Sequence, residues 1–505
     1  MPAPPPRCST LQQILSRQAE LQPAAPALIW QGEAISYQAL HARAVSIARK
    51  LAADGEPGDR IAVLSFNSPE FVALVYAVAA AGQVLVPLNA RLAPAEWTYQ
   101  LCHTGSRRLF AQPQLLQRLA QQPDAPAGID TVALDDDFAH WPAAAPDYPL
   151  PDVEATDAAW ILYTSGSTGR PKGAVLTHGG FMAGLASAAL ARPVLPGDRY
   201  FYPFPLFHVA AHNVLLQHLH GAAVVLAPSF DATQALDACR SQGVTSMSLA
   251  PTMIAMLLEQ PGFHPDDLAG VRTIGYGASA MPAGLLQRLL DETRVGLCQS
   301  YGMTELCGSV AFLTVEDHVA ARQQPRLLQS VGRPLPTAEV MIDGGTGFTQ
   351  RVGVSGEIVV RAAQCMAGYW RDQEASASAL RDGWLYTGDI GRFDDNGYLY
   401  IVDRKKDMII SGGENIASRE VEEVLREHPA VRDCAVIGLP DERWGEMLCA
   451  AVQLVTSVDD EALAEHCRER LARYKTPRRW FRVEALPLNA SGKVDKPRLR
   501  RQFGD

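Results

Sequence analysis

No stretch of this 505-residue chain is apolar for long enough to cross a bilayer. The longest apolar run, around Phe71–Val84, is broken at Gly82 and falls short of the roughly 20 residues that a spanning helix needs. It reads as a buried helix. The first residues, Met1-Pro-Ala-Pro-Pro-Pro-Arg7, contain no apolar signal core. Peripheral membrane contact stays open. Positive charge is not in excess: 45 Lys and Arg against 55 Asp and Glu leave a net charge of −10. That excludes a global basic field for nucleic acid. Nine cysteines are scattered with no Cys-x-x-Cys pair. An odd count without metal spacing argues for reduced thiols in a cytoplasmic protein. No internal repeat is present. The chain is 47% hydrophobic and 20% charged, an ordinary globular composition with length for more than one core.

Helical and strand-like segments alternate from about residue 10 to 330. Leu11–Gln22 reads as an amphipathic helix, Ala27–Trp30 and Ala34–Ser36 as paired strands, and Tyr37–Asp54 as a helix. Arg60–Leu64 is a buried strand, Phe71–Ala81 a helix and Val84–Pro87 a strand. The unit recurs at Gly221–Leu226, Ala232–Gly243 and Ser246–Leu249. This rhythm predicts an α/β fold with doubly wound, parallel-stranded layers. Pro/Ala-rich Gln121–Pro151 reads as a surface connection. After Val331 glycines become frequent, and short alternating runs such as Glu357–Arg361 and Tyr398–Val402 suggest a small antiparallel or barrel-like section. The charge cluster Asp403-Arg-Lys-Lys-Asp407 follows. Ser418–Glu427 and Glu461–Leu471 then read as helices, and Cys434–Gly438 and Leu448–Leu454 as strands of a separate α+β domain.

The segment Tyr163-Thr-Ser-Gly-Ser-Thr-Gly-Arg-Pro-Lys-Gly173 packs four small hydroxyl residues, three glycines and two cations into eleven positions. Glycines let backbone approach a ligand closely. Exposed N–H groups and hydroxyls can wrap phosphate oxygens, with Lys172 or Arg170 balancing their charge. It does not fit G-x-x-x-x-G-K-[ST]. Four more motifs follow in order: Gln299-Ser-Tyr-Gly-Met-Thr-Glu305, Tyr386-Thr-Gly-Asp389, Gly397–Asn415 and Asn489-Ala-Ser-Gly-Lys493. Together the five resemble the adenylate-forming superfamily of acyl-CoA synthetases, peptide-synthetase adenylation domains and firefly luciferase, over nearly the whole chain. The texture, for example Phe204-Pro-Leu-Phe-His-Val-Ala210, is most similar to fatty-acyl-CoA synthetases, and aryl-CoA ligases share most of it.

The resemblance implies a two-step reaction. A carboxylate attacks the α-phosphate of ATP to give acyl-adenylate and pyrophosphate; a thiol, usually that of coenzyme A (CoA), then displaces AMP. It implies an N-terminal domain over 1–402, a hinge at 403–407 and a small mobile C-terminal domain over 408–505. It gives Lys493 the task of bridging carboxylate and α-phosphate, Thr304 a contact to the α-phosphate, and Glu305 the Mg²⁺. The ATP/AMP site by resemblance comprises Thr164, Ser165, Gly166, Ser167, Thr168, Gly169, Lys172, Gly277, Ala278, Ser279, Tyr301, Gly302, Met303, Asp389 and Arg404. Asp389 would take the ribose hydroxyls, with Arg404 as its partner, and Tyr301 would stack on adenine. His208 would gate the junction of the acyl and nucleotide sites. Lys406 matches the hinge position, and Ser411, Gly412 and Gly413 would pass the pantetheine arm. Arg473 and Lys475 are weaker candidates for CoA phosphates, against a solvated face.

Structural roles compete at several positions. Lys493 is followed by a basic tail with Lys496, Arg498, Arg500 and Arg501. Tyr301 and His208 could be core residues. Tyr276, which departs from the family's small residue, could point into the acyl pocket or into the core. His212, Asn213, Ser248–Thr252 and Cys307–Val310 are candidates for the acyl lining. The expected activity is activation of a fatty or aromatic acid for transfer to CoA. The rival readings are an acid:carrier-protein ligase, disfavoured because no carrier domain follows Asp505, a luciferase, and a nucleotide-binding regulator without catalysis. A monomer or homodimer is expected.

Overall fold

The computed structural model describes residues 8–504 except 123, 125–127, 145–146, 165–170, 278–280, 282, 346, 412–413, 442–443 and 490–491. Local signals act where the sequence puts them. Ser36 caps the helix Tyr37–Asp54, its Oγ accepting from the Ala39 amide at 3.1 Å. That helix buries Tyr37, Leu40, Ala44, Ile47, Ala48 and Leu51, the spacing of one helical face. The apolar run around Phe71 becomes the helix Pro69–Ala80, capped by Ser68 and buried on nearly all sides, followed by the strand Val84–Leu88. No helix among the described residues is long and apolar enough to cross a membrane.

The chain forms two compact units, Met1–Val340 with Val360–Leu385 and Met341–Val359 with Tyr386–Asp505. The first holds two large sheets. One has nine strands in the order Arg333–Pro334, Gly308–Leu313, Gly296–Met303, Thr273–Gly277, Ser246–Ser248, Arg199–Tyr202, Ala223–Leu226, Pro26–Trp30 and Glu33–Ser36. Its central strands pair in parallel, and antiparallel strands close both edges. The other has seven strands: Gly368–Tyr369, Lys172–Thr177, Ala158–Thr164, Val84–Leu88, Arg60–Leu64, Arg108–Ala111 and Asp130–Ala133. Runs such as Ile61–Leu64, buried throughout, are what a parallel strand covered on both faces requires.

One expectation is corrected. The segment 121–151 is more than a surface connection. It contributes the edge strand Asp130–Ala133 and the 3-10 turn Asp136–Ala144. Phe138 is fully buried, and it and Trp141 pack edge-on against Phe110 with centroids 5.8 and 5.2 Å away. Its Pro and Ala content hid two aromatic anchors.

In the second unit, the antiparallel section expected after Val331 includes the pairing of Leu399–Arg404 with the strand that carries Asp389. Beyond it lies a five-stranded sheet: Glu414–Ile416, Ile409–Ser411, Gly445–Leu454 and Val431–Asp441 in order, with Arg479–Arg482 also on Gly445–Leu454. Alternation sends successive residues of its long hairpin to opposite faces. Cys434, Val436, Leu448, Ala450 and Val452 pack on Val421 and Leu425 of the helix Ser418–Arg426 and on Leu463 and Cys467 of the helix Asp460–Arg470. Ala435, Ile437, Leu439, Cys449 and Ala451 pack on Leu486 and on Leu499 of the helix Lys496–Phe503. This is the expected C-terminal α+β fold. Residues 386–402 group with it.

Candidate active site

In the first unit, Thr164 and Lys172 are register partners at the facing ends of two antiparallel strands. Thr164 Oγ1 donates to Glu305 Oε1 at 3.2 Å, and the Tyr369 hydroxyl donates to the same oxygen at 2.9 Å. Glu305 is only 6% exposed. It sits in the turn Thr304–Leu306, where the strand Gly296–Met303 doubles back into Gly308–Leu313. The close return depends on Gly302: a Cβ there would stand 1.9 Å from the Gly308 carbonyl oxygen. The Met366 amide donates to the Glu305 carbonyl at 2.8 Å, and Gln364 Nε2 to the carbonyls of Leu306 and Ser309 at 2.7 and 3.2 Å. The turn is thus fixed from outside.

Burial, reinforced by the Glu305 charge, drives the Tyr369 phenol well above its ordinary pKa, so it stays a donor. Lys172 Nζ lies 5.4 Å from the centre of the same ring. The structure therefore brings Thr164, Lys172, Thr304 and Glu305 to one corner. Tyr369 completes it and was missed in the sequence, where Met366-Ala-Gly-Tyr-Trp370 carries no charge or hydroxyl pattern to separate it from core. Gly277 pairs with Ser300 on the neighbouring strand, next to half-buried Tyr301. Ser165, Gly166, Ser167, Thr168, Gly169, Arg170, Ala278 and Ser279 lie outside the described residues.

Among the described residues no group of three or more His, Cys, Asp or Glu side chains could hold a metal ion. Mg²⁺ does not need one: it is commonly held by one or two carboxylates together with substrate phosphates. A single buried carboxylate whose bonds fall on one oxygen fits that donor set.

On the candidate acyl side, the His208 ring stands edge-on to Phe207 with centroids 4.9 Å apart. His212 is buried, its Nδ1–H donating to the Val209 carbonyl at 2.9 Å. Burial above all lowers its pKa to about 4, so it is neutral near pH 7. Tyr276 resolves toward the core: it is 3% exposed, packs in the apolar cluster with Leu286 and Leu289, and its hydroxyl meets His318 Nε2 at 2.8 Å. It does not shorten the acyl pocket. Asn213 and Ser248 are brought together by a residue not singled out in the sequence, Arg192.

In the second unit, Asp389 and Arg404 are register partners on adjacent strands, with Arg404 Nε 2.6 Å from Asp389 Oδ1. The charge cluster divides by burial. Asp403 is buried and accepts from the Ser418 amide and, at 2.8 Å, from its hydroxyl. Asp407 pairs with Arg500 at 3.1 Å. Between these anchors Arg404, Lys405 and Lys406 are exposed, and Lys405 pairs with Glu357 at 2.7 Å. The basic tail divides likewise. Lys496 Nζ donates to the Ser418 hydroxyl at 2.6 Å and pairs with Glu422 at 2.8 Å, so it is a part-buried anchor, as Arg500 is with Asp407. Lys493 is exposed on a turn closed by the Asn489 amide donating to its carbonyl at 2.7 Å, with Gly492 at φ +80°. Ser411 is buried, Gly412 and Gly413 lie outside the described residues, and Lys475 is engaged by Glu420 at 2.6 Å.

The AMP-binding enzyme profile matches residues 15–370, and that of the AMP-binding enzyme C-terminal domain matches residues 420–493. The chain belongs to this family. It is 38% identical over 498 residues to the feruloyl-CoA synthase of an Amycolatopsis species, covering 97% of this chain and 98% of that one. It is 36% identical over 476 residues to the long-chain-fatty-acid–CoA ligase FadD13 of Mycobacterium tuberculosis, covering 93% of each. The o-succinylbenzoate CoA synthetase MenE of Bacillus subtilis, solved with its acyl-adenylate intermediate, superposes with a TM-score of 0.87 at 32% identity over 98% of both chains.

Proposed function

We propose that this protein is an ATP-dependent, AMP-forming acid:CoA ligase. It activates a fatty or aromatic carboxylic acid as acyl-adenylate, releases pyrophosphate, and forms the CoA thioester with release of AMP. The observation that carries this reading is the buried Glu305 carboxylate, held by Thr164 and Tyr369 beside Lys172 at the mouth of the Gly/Ser-rich segment. A free carboxylate has a poor leaving group, and joining it to AMP supplies a good one. The enzyme must bring two anions together and stabilise charge at the α-phosphate.

Lys493 supplies the point charge between the carboxylate and the α-phosphate, and Thr304 donates to a phosphate oxygen. Glu305 and the substrate phosphates hold Mg²⁺, which when bound offsets phosphate charge. Thr164, Lys172 and the segment 165–170 grip the β- and γ-phosphates, so they assist departure of pyrophosphate. Asp389, oriented by Arg404, accepts from the ribose hydroxyls. Rotation about Lys406, an exposed lysine between the anchored Asp403 and Asp407, then exchanges Lys493 for Ser411, Gly412 and Gly413 in the thioester step. Its place of work is the cytoplasm, as a monomer or homodimer with nine unpaired thiols.

The test is pyrophosphate release with a panel of acids from acetate to palmitate plus benzoates and cinnamates, followed by AMP and thioester formation on adding CoA. Thioester formation without AMP, or no acid-dependent pyrophosphate release, sinks the reading.

A further inference from the structure

Arg192 follows the helix His178–Ala191, at a place where a long cation would ordinarily turn to solvent. Here it turns inward. Its Nη1 donates to Ser248 Oγ at 2.6 Å and its Nη2 to Asn213 Oδ1. Those contacts engage two of the five N–H donors of a guanidinium. Nε is buried with no hydrogen-bond partner, and Tyr200, a residue 2% exposed, brings its hydroxyl to Ser248 and Arg192. The Arg192 charge is felt at Tyr200, His212 and Cys298, which places all three around it. Among the described residues no carboxylate lies within ion-pair distance of it. Ser248 and Asn213 satisfy donors, but they bring no charge.

The site is built for this group. Ser248, Gly275 and Cys298 form one row across three neighbouring strands. A Cβ on Gly275 would stand 2.0 Å from Arg192 Nη1 and 2.8 Å from Ser248 Oγ, so the guanidinium lies directly on the glycine. Gly277 and Ser300 form the next row on the same face, two residues further along each strand. The Arg192 row is therefore about 7 Å from the row assigned to the nucleotide. That is where the end of an acyl group remote from its reacting carboxylate would reach.

We propose that Arg192 is a specificity-determining residue for an acid carrying a second carboxylate at its far end. This rests on the ligase reading above. A carboxylate matches the planar fork of a guanidinium and supplies the charge that its present partners lack. A plain hydrocarbon tail would leave the cation uncompensated and strip its remaining solvation.

The experiment compares matched pairs, hexanoate with adipate and 3-phenylpropionate with 3-(4-carboxyphenyl)propionate, by pyrophosphate release and thioester formation. The wild type is expected to favour the diacid of at least one pair by about 10-fold or more in kcat/KM. Arg192→Gln is expected to lower diacid turnover by about 100-fold while leaving the monoacid unchanged or faster. Arg192→Lys, which keeps the charge but loses the fork, should fall between them. Matched melting temperatures of the variants separate loss of recognition from loss of fold. Wild-type preference for the monoacid in both pairs, or equal loss of both acids in a folded Arg192→Gln, overturns the inference. Release with monoacids alone overturns only this inference; no release with any acid overturns the ligase reading with it.

Discussion

The two units hold their candidate residues in opposite ways. In the N-terminal unit Glu305 is buried, and its turn is tied down by Met366, Gln364, Thr164 and Tyr369. In the C-terminal unit Lys493, Lys406 and Arg404 stand exposed on turns and strand ends, while their near neighbours in sequence, Asp403, Asp407 and Lys496, are held by Ser418, Arg500 and Glu422. The contrast suits the two tasks. A group that holds charge in place gains from preorganisation, because no reorganisation is needed as charge develops. Groups that enter and leave a site must stay solvated in between, which burial would forbid.

The comparison can be broken most decisively at Lys493. Lys493→Ala is expected to slow adenylation by about 1,000-fold while conversion of supplied acyl-adenylate to thioester continues. Equal loss of both half-reactions would remove its assigned role. Next is Lys406→Pro, which fixes φ. It should spare pyrophosphate release and slow thioester formation by about 100-fold or more; full thioester activity would end the hinge proposal.

A third test addresses stability. Burial lowers His178, His212 and His218, all in the N-terminal unit, from 6.5 to about 4. Above about pH 6.5 both folded and unfolded chains hold them neutral. As pH falls from there toward 4, the unfolded chain takes up protons that the folded chain refuses, so stability is lost on acidification. Three such groups cost on the order of 2 kcal/mol by pH 6. The C-terminal unit has only His428 and His466, neither of them buried. Peptide-resolved hydrogen exchange at pH 7.5 and 6 should therefore weaken protection in the first unit more than in the second. Uniform weakening would break the contrast. The smallest expected effect is Tyr369→Phe. Losing one of two donors to Glu305 should lower kcat for pyrophosphate release by about 10-fold and raise the Mg²⁺ requirement, with little change in melting temperature. An unchanged Mg²⁺ requirement would make Tyr369 a packing residue only.

Much of the fold is legible in the chain because its signals are local. Tyr37–Asp54 and Arg60–Leu64 form as read, since caps, periodicity and apolar runs act within a few residues. The segment 121–151 reads as a surface connection because buried Phe138 and half-buried Trp141 owe their packing to Phe110, on a strand that precedes it. The site divides the same way. Motif residues such as Glu305 and Lys172 stand out by type and spacing. Tyr369 and Arg192 do not, because a phenol or a guanidinium acquires its role only from what the fold sets against it. By itself the sequence determined the family, the layered α/β architecture and the order of the chemistry. Only the tertiary structure decided that Tyr276 faces the core, that Lys496 is an anchor where Lys493 is exposed, and that Arg192 lies on Gly275. Burial and pairing are properties of neighbours distant in sequence, and no local pattern encodes them.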